Sequence, residues 1–279
     1  MKDYPKVSII TVCYNCKDTI ERTICNVLKQ TYHNLEYIVI DGNSTDGTKE
    51  IIKRYANQLT YFVSEPDSGI YDAMNKGVRK ATGEWVMFRN SGDYFFSPTT
   101  VQEVFDWYVD NGESFIVGGT RNFCLNAYMD EYYERQNADV WQQAFIAHHS
   151  TFIRLSVQKE NLYPTCYRIA SDYFFFQKML LEGARLVAYK GIVSLFESEN
   201  GISTRLLYLS WKERLDIRKQ LGAPDDVLKK TRRICLTKFV VGNIIRCISW
   251  NKRLYQVYRQ KHQLRNWVRQ PMDVTLKNV

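Results

Sequence analysis

Four short polar clusters hold most of the chemistry this chain can do: Thr11, Tyr14 and Asn15; Asp41, Asn43, Ser44 and Asp46; Glu65, Asp67 and Ser68; and Asn90, Ser91 and Asp93. An aromatic ring followed by acids suits a nucleobase and its ring N–H. Carboxylates alone repel a phosphorylated ligand, so a phosphate bound here requires a bridging divalent cation, Mg²⁺ or Mn²⁺, with oxygen ligands. Taken singly, Asp46 or Asp67 is equally an ordinary turn or N-cap residue. The argument for a site rests on their grouping. No G-x-G-x-x-G or G-x-x-x-x-G-K-[ST] string is present, so neither a dinucleotide cofactor nor a P-loop is indicated. Cys13 and Cys16 form a C-x-x-C pair directly after an apolar run, with no second metal-binding pair nearby, and read as buried or half-buried thiols.

The elements around these clusters set where they meet. Residues 7–12, 35–40, 59–63 and 85–88 are short apolar runs, and each of the four polar clusters follows one of them. Between them, Ile20, Ile24, Val27 and Leu28 recur at helical spacing behind an Asp18/Glu21 capping-box pattern, and residues 48–56 and 70–81 also read as helices. Four strands alternating with three helices predict an α/β fold, a mostly parallel sheet with flanking helices. Ligands of such sheets bind beyond the carboxyl ends of the strands, which brings the four clusters to one cleft. Beyond residue 93 the pattern is less regular, with helices expected over 101–109 and 172–182 and a strand over 115–118. A helical extension begins at about residue 205, with helices over 206–221 and from near Val227, the latter capped by Asp225 or Asp226.

The runs SIITVCYN, EYIVIDGNSTDGT, SEPDSGIYDAMNKG and ATGEWVMFRNSGD, in this order, resemble the family 2 glycosyltransferases with the GT-A (Rossmann-like) fold, particularly bacterial enzymes of capsule, O-antigen or exopolysaccharide assembly. The resemblance is close over residues 7–93 and thinner beyond. It implies an inverting, non-processive transfer from a nucleotide-diphosphate sugar, with a UDP-sugar favoured, to a hydroxyl of a glycan carried on a polyprenyl diphosphate. A catalytically silent nucleotide-sugar-binding scaffold subunit is the alternative. By the same resemblance, Thr11 and Tyr14 line the nucleobase pocket and Asp41 accepts from the base. Asp72 and Asn75 lie near the ribose and donor sugar, Asn15, Asp67 and Asn90 complete the nucleotide-sugar-binding set, and Asp93 holds the divalent cation. Asp172 matches the base that takes the acceptor proton, a helix-capping role being the plain alternative. His148 and His149 match a motif near the diphosphate or acceptor, and a strand would turn only one of them to the cleft. Gly92 stands where many members carry a second aspartate. The Gly201–Ser203 segment matches a loop near the active site. The implied organisation is a GT-A domain over 1–204, with a nucleotide half (1–93) and an acceptor half (94–204), followed by an extension over 205–279.

Charge divides at the same place. Residues 1–204 hold 20 Lys and Arg against 25 Asp and Glu, whereas residues 205–279 hold 18 against 5. A basic tail with aliphatics and interfacial aromatics, Phe239, Ile244, Trp250, Tyr255 and Trp267 among them, suits an anionic membrane surface, and a solvated helical cap on the core is the alternative. With an acidic cleft and no nucleic-acid motif, nucleic acid is not an expected partner. Without a leader-like N-terminus or a long apolar run, and with an odd number of scattered cysteines, the expected location is the cytoplasm, peripheral to its membrane.

Overall fold

A computed structural model describes residues 4–124, 127–133, 140–142, 146–197, 206–249 and 268–269. The Gly201–Ser203 loop and the tail residues Trp250, Tyr255 and Trp267 lie outside the described residues. Strand β1 (Val7–Cys13) is buried at every position and runs parallel to both neighbours, β2 (Leu35–Asp41) and β4 (Trp85–Phe88). A strand covered on both faces can be apolar throughout, which is why its sequence shows no alternation. β3 (Tyr61–Ser64) adds in parallel beyond β2.

The pleat sorts side chains between two layers. Ile10, Val12, Ile38 and Ile40 pack with Met74 and Val78 of α3 (Ile70–Lys80), while Val7, Ile9, Tyr37 and Val39 pack with Ile20, Ile24 and Val27 of α1 (Ile20–Leu28). The second layer also takes Val101, Val104 and Phe105 of α4 (Thr100–Trp107), and α2 (Thr48–Lys53) covers the sheet through Ile52. The Asp18/Glu21 capping box does not form: Thr19 is the N-cap without a side-chain bond, and Glu21 instead meets the Tyr55 hydroxyl and Arg54.

Beyond β4 the sheet turns antiparallel. β8 (Thr151–Arg154) pairs with β4, and β6 (Phe115–Cys124) pairs with β8. β7 (Ala127–Glu131) pairs antiparallel with β6, and the long β9 (Leu186–Glu197) runs parallel to β6 and carries the short β5 (Tyr94–Phe95). β10 (Val268–Arg269) closes on β7. α5 (Leu155–Glu160) follows β8, and α6 (Ser171–Leu181) packs Phe175, Phe176 and Met179 into the first layer. The basic extension forms α7 (Leu207–Gln220) and α8 (Asp225–Ser249). α7 lies against residues 167–173, with Ile217 fully buried beside Ala170 and Tyr173. Among the described residues no helix is long and apolar enough to cross a membrane.

Gly77 lets α3 approach the sheet, because a Cβ there would meet Ile10 Cγ2 at 2.5 Å, and this β-branched side chain on the central strand has little room to turn away. Overpacking of this kind costs about 1–3 kcal/mol, which outweighs the helix-propensity gain of up to about 1 kcal/mol from replacing glycine. Gly77→Ala is therefore expected to lower unfolding stability by about 1–2 kcal/mol in urea titration, and to disturb Tyr71 and Asp72 on the same helix.

Candidate active site

The ends of β1, β3 and β4 and the start of α3 enclose an open cavity of about 930 Å³, closed on its far side by residues 165–168 and Leu206. Of the expected nucleotide-sugar residues, Tyr14, Asp67, Asp72 and Asn90 line it, together with Ser68 and Ser91 of the same clusters and the thiols Cys13 and Cys16. Tyr14 is 62% exposed, an uncovered ring available for stacking. Beside it, the Asp67 carboxylate fills the space a side chain at position 42 would take: a Cβ on Gly42 would lie 2.4 Å from Asp67 Oδ2 and 3.3 Å from Tyr14 Cδ2.

Other expected contacts point elsewhere. Asp41 is fully buried, and its oxygens accept from the Ser44 amide (3.0 Å), the Ser44 hydroxyl and the Ser64 hydroxyl (2.6 Å), so the acid beside Tyr14 is Asp67. Thr11 is also fully buried, its hydroxyl between Tyr37 Oη and the Arg89 carbonyl. Asn75 clamps the Tyr163 backbone through both ends of its amide, at 2.8 and 2.9 Å. Asn15, in the left-handed region at φ 47°, accepts from the Thr45 amide and donates its own amide to Ser44 Oγ, tying the first loop to the second. These four residues frame the cavity and do not line it.

One layer behind the cavity wall sit the acids with catalytic potential. Asp172, in the first turn of α6, is 5% exposed. Its Oδ2 lies 2.9 Å from His148 Nδ1, and its Oδ1 accepts the Tyr173 amide and lies 3.0 Å from the hydroxyl of Tyr71, which lines the cavity. Burial pushes this carboxyl up, but the hydrogen bond and charge of His148, the charge of Arg214 and the Tyr173 amide outweigh it and hold the pKa below the ordinary value. Burial lowers the His148 pKa, and Asp172 and then Asp93 more than reverse that, against Arg89. Burial, with the neighbouring charges of His148 and Arg89, keeps His149 neutral, its ring stacked on Phe196 at 4.7 Å.

The two histidines occupy a 3₁₀ turn, His148–Ser150, and not a strand, so both rings reach the same place. One ligand atom from each of Asp93, His148 and His149 lies within 4.8 Å of the others. Burial pushes Asp93 up to about 6, against His148, Arg89 and the Asn90 amide. This donor set fits a divalent cation. A desolvated carboxylate gains most from a positive partner, His149 is already neutral, and His148, with Nδ1–H given to Asp172, keeps its Nε2 lone pair, 3.2 Å from Asn90 Nδ2. One carboxylate with two imidazoles favours Mn²⁺ over Mg²⁺. Gly92 has its own reason to be glycine: it turns the chain at φ 99° and donates to Thr23 Oγ1, and an aspartate there would be strained.

Three residues of the site carried no sequence signal of their own. Arg89 is a fully buried cation that bonds the Tyr94 carbonyl and Ser194 Oγ and lies 3.9 Å over Phe95. Tyr71 looks like a core aromatic of α3. Glu213 lies in the basic extension and accepts three backbone N–H groups at 2.9 Å.

A mostly parallel sheet with an antiparallel half, and an acid and histidine cluster beyond its carboxyl ends, is the architecture of GT-A glycosyltransferases. The glycosyl transferase family 2 model matches residues 8–181, and the chain belongs to that family. A Mycobacterium tuberculosis protein described as an uncharacterized glycosyltransferase is 39% identical over 104 residues, 37% of this chain, and the match spans only 40% of that relative. A PGL/p-HBAD biosynthesis glycosyltransferase of Mycobacterium bovis is 26% identical over 89% of this chain and 98% of its own. A Bacillus subtilis glycosyltransferase named for teichuronic acid biosynthesis is 39% identical over 92 residues, 32% of this chain and 36% of its own. Among solved structures, S. aureus TarS with UDP-GlcNAc superposes with a TM-score of 0.64 at 19% identity, over 81% of this chain and 71% of that one. A Pyrobaculum calidifontis mannosyltransferase with GDP-Man and Mn²⁺ gives 0.63 at 18%, over 94% and 84%.

Protons and a cation compete for this donor set. Below about pH 6 the Asp93 carboxyl becomes protonated and loses its charge, and His148, whose pKa Asp172 and Asp93 raise above the ordinary imidazole value, already takes a proton at higher pH on the nitrogen a metal would use. Titration calorimetry with Mn²⁺ is expected to show the apparent dissociation constant weakening steadily as the pH is lowered, by at least about tenfold for each unit of pH below 6.

Proposed function

We propose that this protein is an inverting, non-processive glycosyltransferase that moves one sugar from a nucleotide-diphosphate donor, a UDP-sugar above all, to a hydroxyl of a polyprenyl-diphosphate-linked glycan in surface polysaccharide assembly. The observation that carries this reading is the buried Asp172, held ionised by His148 and joined through Tyr71 to an open cavity whose other wall offers Tyr14 and Asp67.

In this reading the nucleobase stacks on Tyr14 and its ring N–H is accepted by Asp67, with Asp72 and Asn90 on the ribose and donor sugar. The acceptor oxygen forms a bond to the sugar's anomeric carbon as the bond to the diphosphate breaks, and Asp172 takes the proton the hydroxyl loses. His148 orients that carboxylate and keeps it charged until the proton arrives. Asp93, His148 and His149 would hold a divalent cation, which when bound would supply Lewis-acid stabilisation of the departing diphosphate.

The extension fits a membrane-surface role. On α8, Lys229, Lys230, Arg232 and Arg233 are exposed, and Leu236, Phe239 and Val240 are 65%, 45% and 53% exposed on the next turns. Cations followed by uncovered aliphatic and aromatic side chains suit the headgroup layer of an anionic bilayer, where a lipid-linked acceptor would lie.

A panel of UDP-glucose, UDP-galactose, UDP-GlcNAc and GDP-mannose, with and without Mn²⁺, is expected to raise the melting temperature for one donor only when the metal is present. With that donor, Asp172→Asn should lower kcat by about 10²–10⁴-fold while donor affinity is kept; turnover near wild type rules Asp172 out as the base. In flotation with phosphatidylglycerol liposomes, the full chain should float. Changing Lys229, Lys230, Arg232 and Arg233 to Gln should abolish this, as each basic residue contributes about 1 kcal/mol. Equal recovery of the two proteins removes the membrane reading.

A further inference from the structure

We infer that Glu213 of the extension is a positioning residue for the transfer site. Its carboxylate holds the backbone segment that leads into α6 and presents Asp172 to the acceptor, and the inference rests on Asp172 being the base.

Glu213 is 9% exposed, an acid buried in the most basic part of the chain. Its Oε1 accepts the Arg168 amide, and its Oε2 accepts the amides of Ile169 and Ala170, all at 2.9 Å. Three successive amides bound by one carboxylate fix the path of the backbone immediately before α6. Those amides have no partner within the helix, so the carboxylate also meets the positive end of α6.

What the segment carries gives the clamp its meaning. The Ile169 carbonyl lies 2.6 Å from the Tyr71 hydroxyl that also reaches Asp172. Asp172 follows two residues after the clamp, on the first turn of the helix the clamp begins. The rest of α7 reinforces the contact: Ile217 packs on Ala170 and Tyr173, Arg218 Nε donates to the Tyr173 hydroxyl, and Gln220 accepts from the Tyr167 hydroxyl. A purely architectural contact needs only Ile217 and these outer bonds. Glu213 is the residue that sets the backbone from which Asp172 stands. A displacement of about 1 Å at a reacting group can cost about 10²-fold in rate.

The test compares Glu213→Ala, Glu213→Gln and Asp172→Asn in the full chain, with UDP as the binding probe and the panel donor as substrate, both with Mn²⁺. Gln keeps one acceptor oxygen and Ala keeps none. The expected result is a kcat ordered wild type, Gln, Ala, with Ala lower by about 10²-fold, UDP affinity within about twofold of wild type in both, and faster amide hydrogen exchange confined to residues 168–173. If Glu213→Ala does not fold, Glu213→Gln carries the comparison, with an intermediate kcat expected at unchanged UDP affinity. The inference is overturned if the Glu213 variants keep wild-type kcat while Asp172→Asn is inactive, or if kcat and UDP affinity fall together, the mark of a merely structural contact. Turnover by Asp172→Asn instead strikes the base assignment itself, a different failure from that of the clamp.

Discussion

Two carboxylates kept out of water, Asp93 and Asp172, face one imidazole, His148, and the rest of the site is arranged to make that burial tolerable. An isolated buried carboxylate protonates or unfolds its surroundings, and removing one partner of a buried pair costs about 3–5 kcal/mol. Here the compensating charges come from every part of the fold. His148 arrives on the turn before β8, Arg89 at the end of β4, and Arg214 on α7. Arg89 is so enclosed that its own pKa falls to about 10, and it is held by Ser194 of β9, whose hydroxyl also donates to the His149 carbonyl. The environments push the two acids in opposite directions. Asp172, with a hydrogen bond from His148, stays ionised, and Asp93, which meets its cations only at longer range, sits near 6 and waits for a stronger partner. That difference separates a proposed proton acceptor from a proposed metal ligand a few residues of space apart.

The polar clusters at the strand ends divide by a related rule. A loop that turns sharply beyond a buried strand has amides and carbonyls of its own to satisfy, and the nearest polar side chains serve it first. Asp41 is spent on Ser44 and Ser64, Thr11 on Tyr37 and the Arg89 carbonyl, and Asn15 on Thr45, which leaves Tyr14, Asp67, Asp72 and Asn90 for the cavity. The exchange of Asp41 for Asp67 depends on Gly42. Without a side chain at 42, an acid from the third loop reaches the ground beside Tyr14.

This explains which parts were legible in the sequence. The parallel half follows from local patterns: apolar runs, helical spacing and turn residues name β1 to β4 and α1 to α3 within a few residues, and the clusters fall at their ends. Which member of a cluster faces a ligand is a non-local matter, decided by contacts across strand ends with residues as far as 78 positions away, and no periodicity reports it. His148 and His149 show the same limit, since alternation on a strand would part them and a 3₁₀ turn brings them together. Tyr71 sits inside α3 and Arg89 directly after β4, both legible elements, but their partners, Asp172 and Ser194, lie about a hundred residues on. Glu213 stands among many cations, and nothing in its neighbourhood in the sequence marks the three backbone amides, some forty-three to forty-five residues back, that it accepts.

The charge asymmetry then takes a structural form. The buried face of the extension is built from Ser210, Glu213 and Ile217 on α7 and Val227, Thr231 and Cys235 on α8, with Arg218 reaching across to Thr231. Both sets recur at helical spacing, so one stripe of each helix is consumed by docking. The cations of α8 stand outside that stripe, at 229, 230, 232 and 233, with Leu236, Phe239 and Val240 continuing the exposed side. An acid therefore joins the extension to an acidic body whose local surface is made of amides, with Arg214 and Arg218 of α7 packed beside it on Tyr173, whereas the four exposed cations of α8 take no part in that union. They remain turned outward, where their charge can act only on something other than the enzyme's own core. The same two helices thus hold the backbone beneath the proposed base from one side and offer a cationic, partly apolar surface from the other. This arrangement would keep a lipid-carried acceptor and the group that deprotonates it on one rigid support.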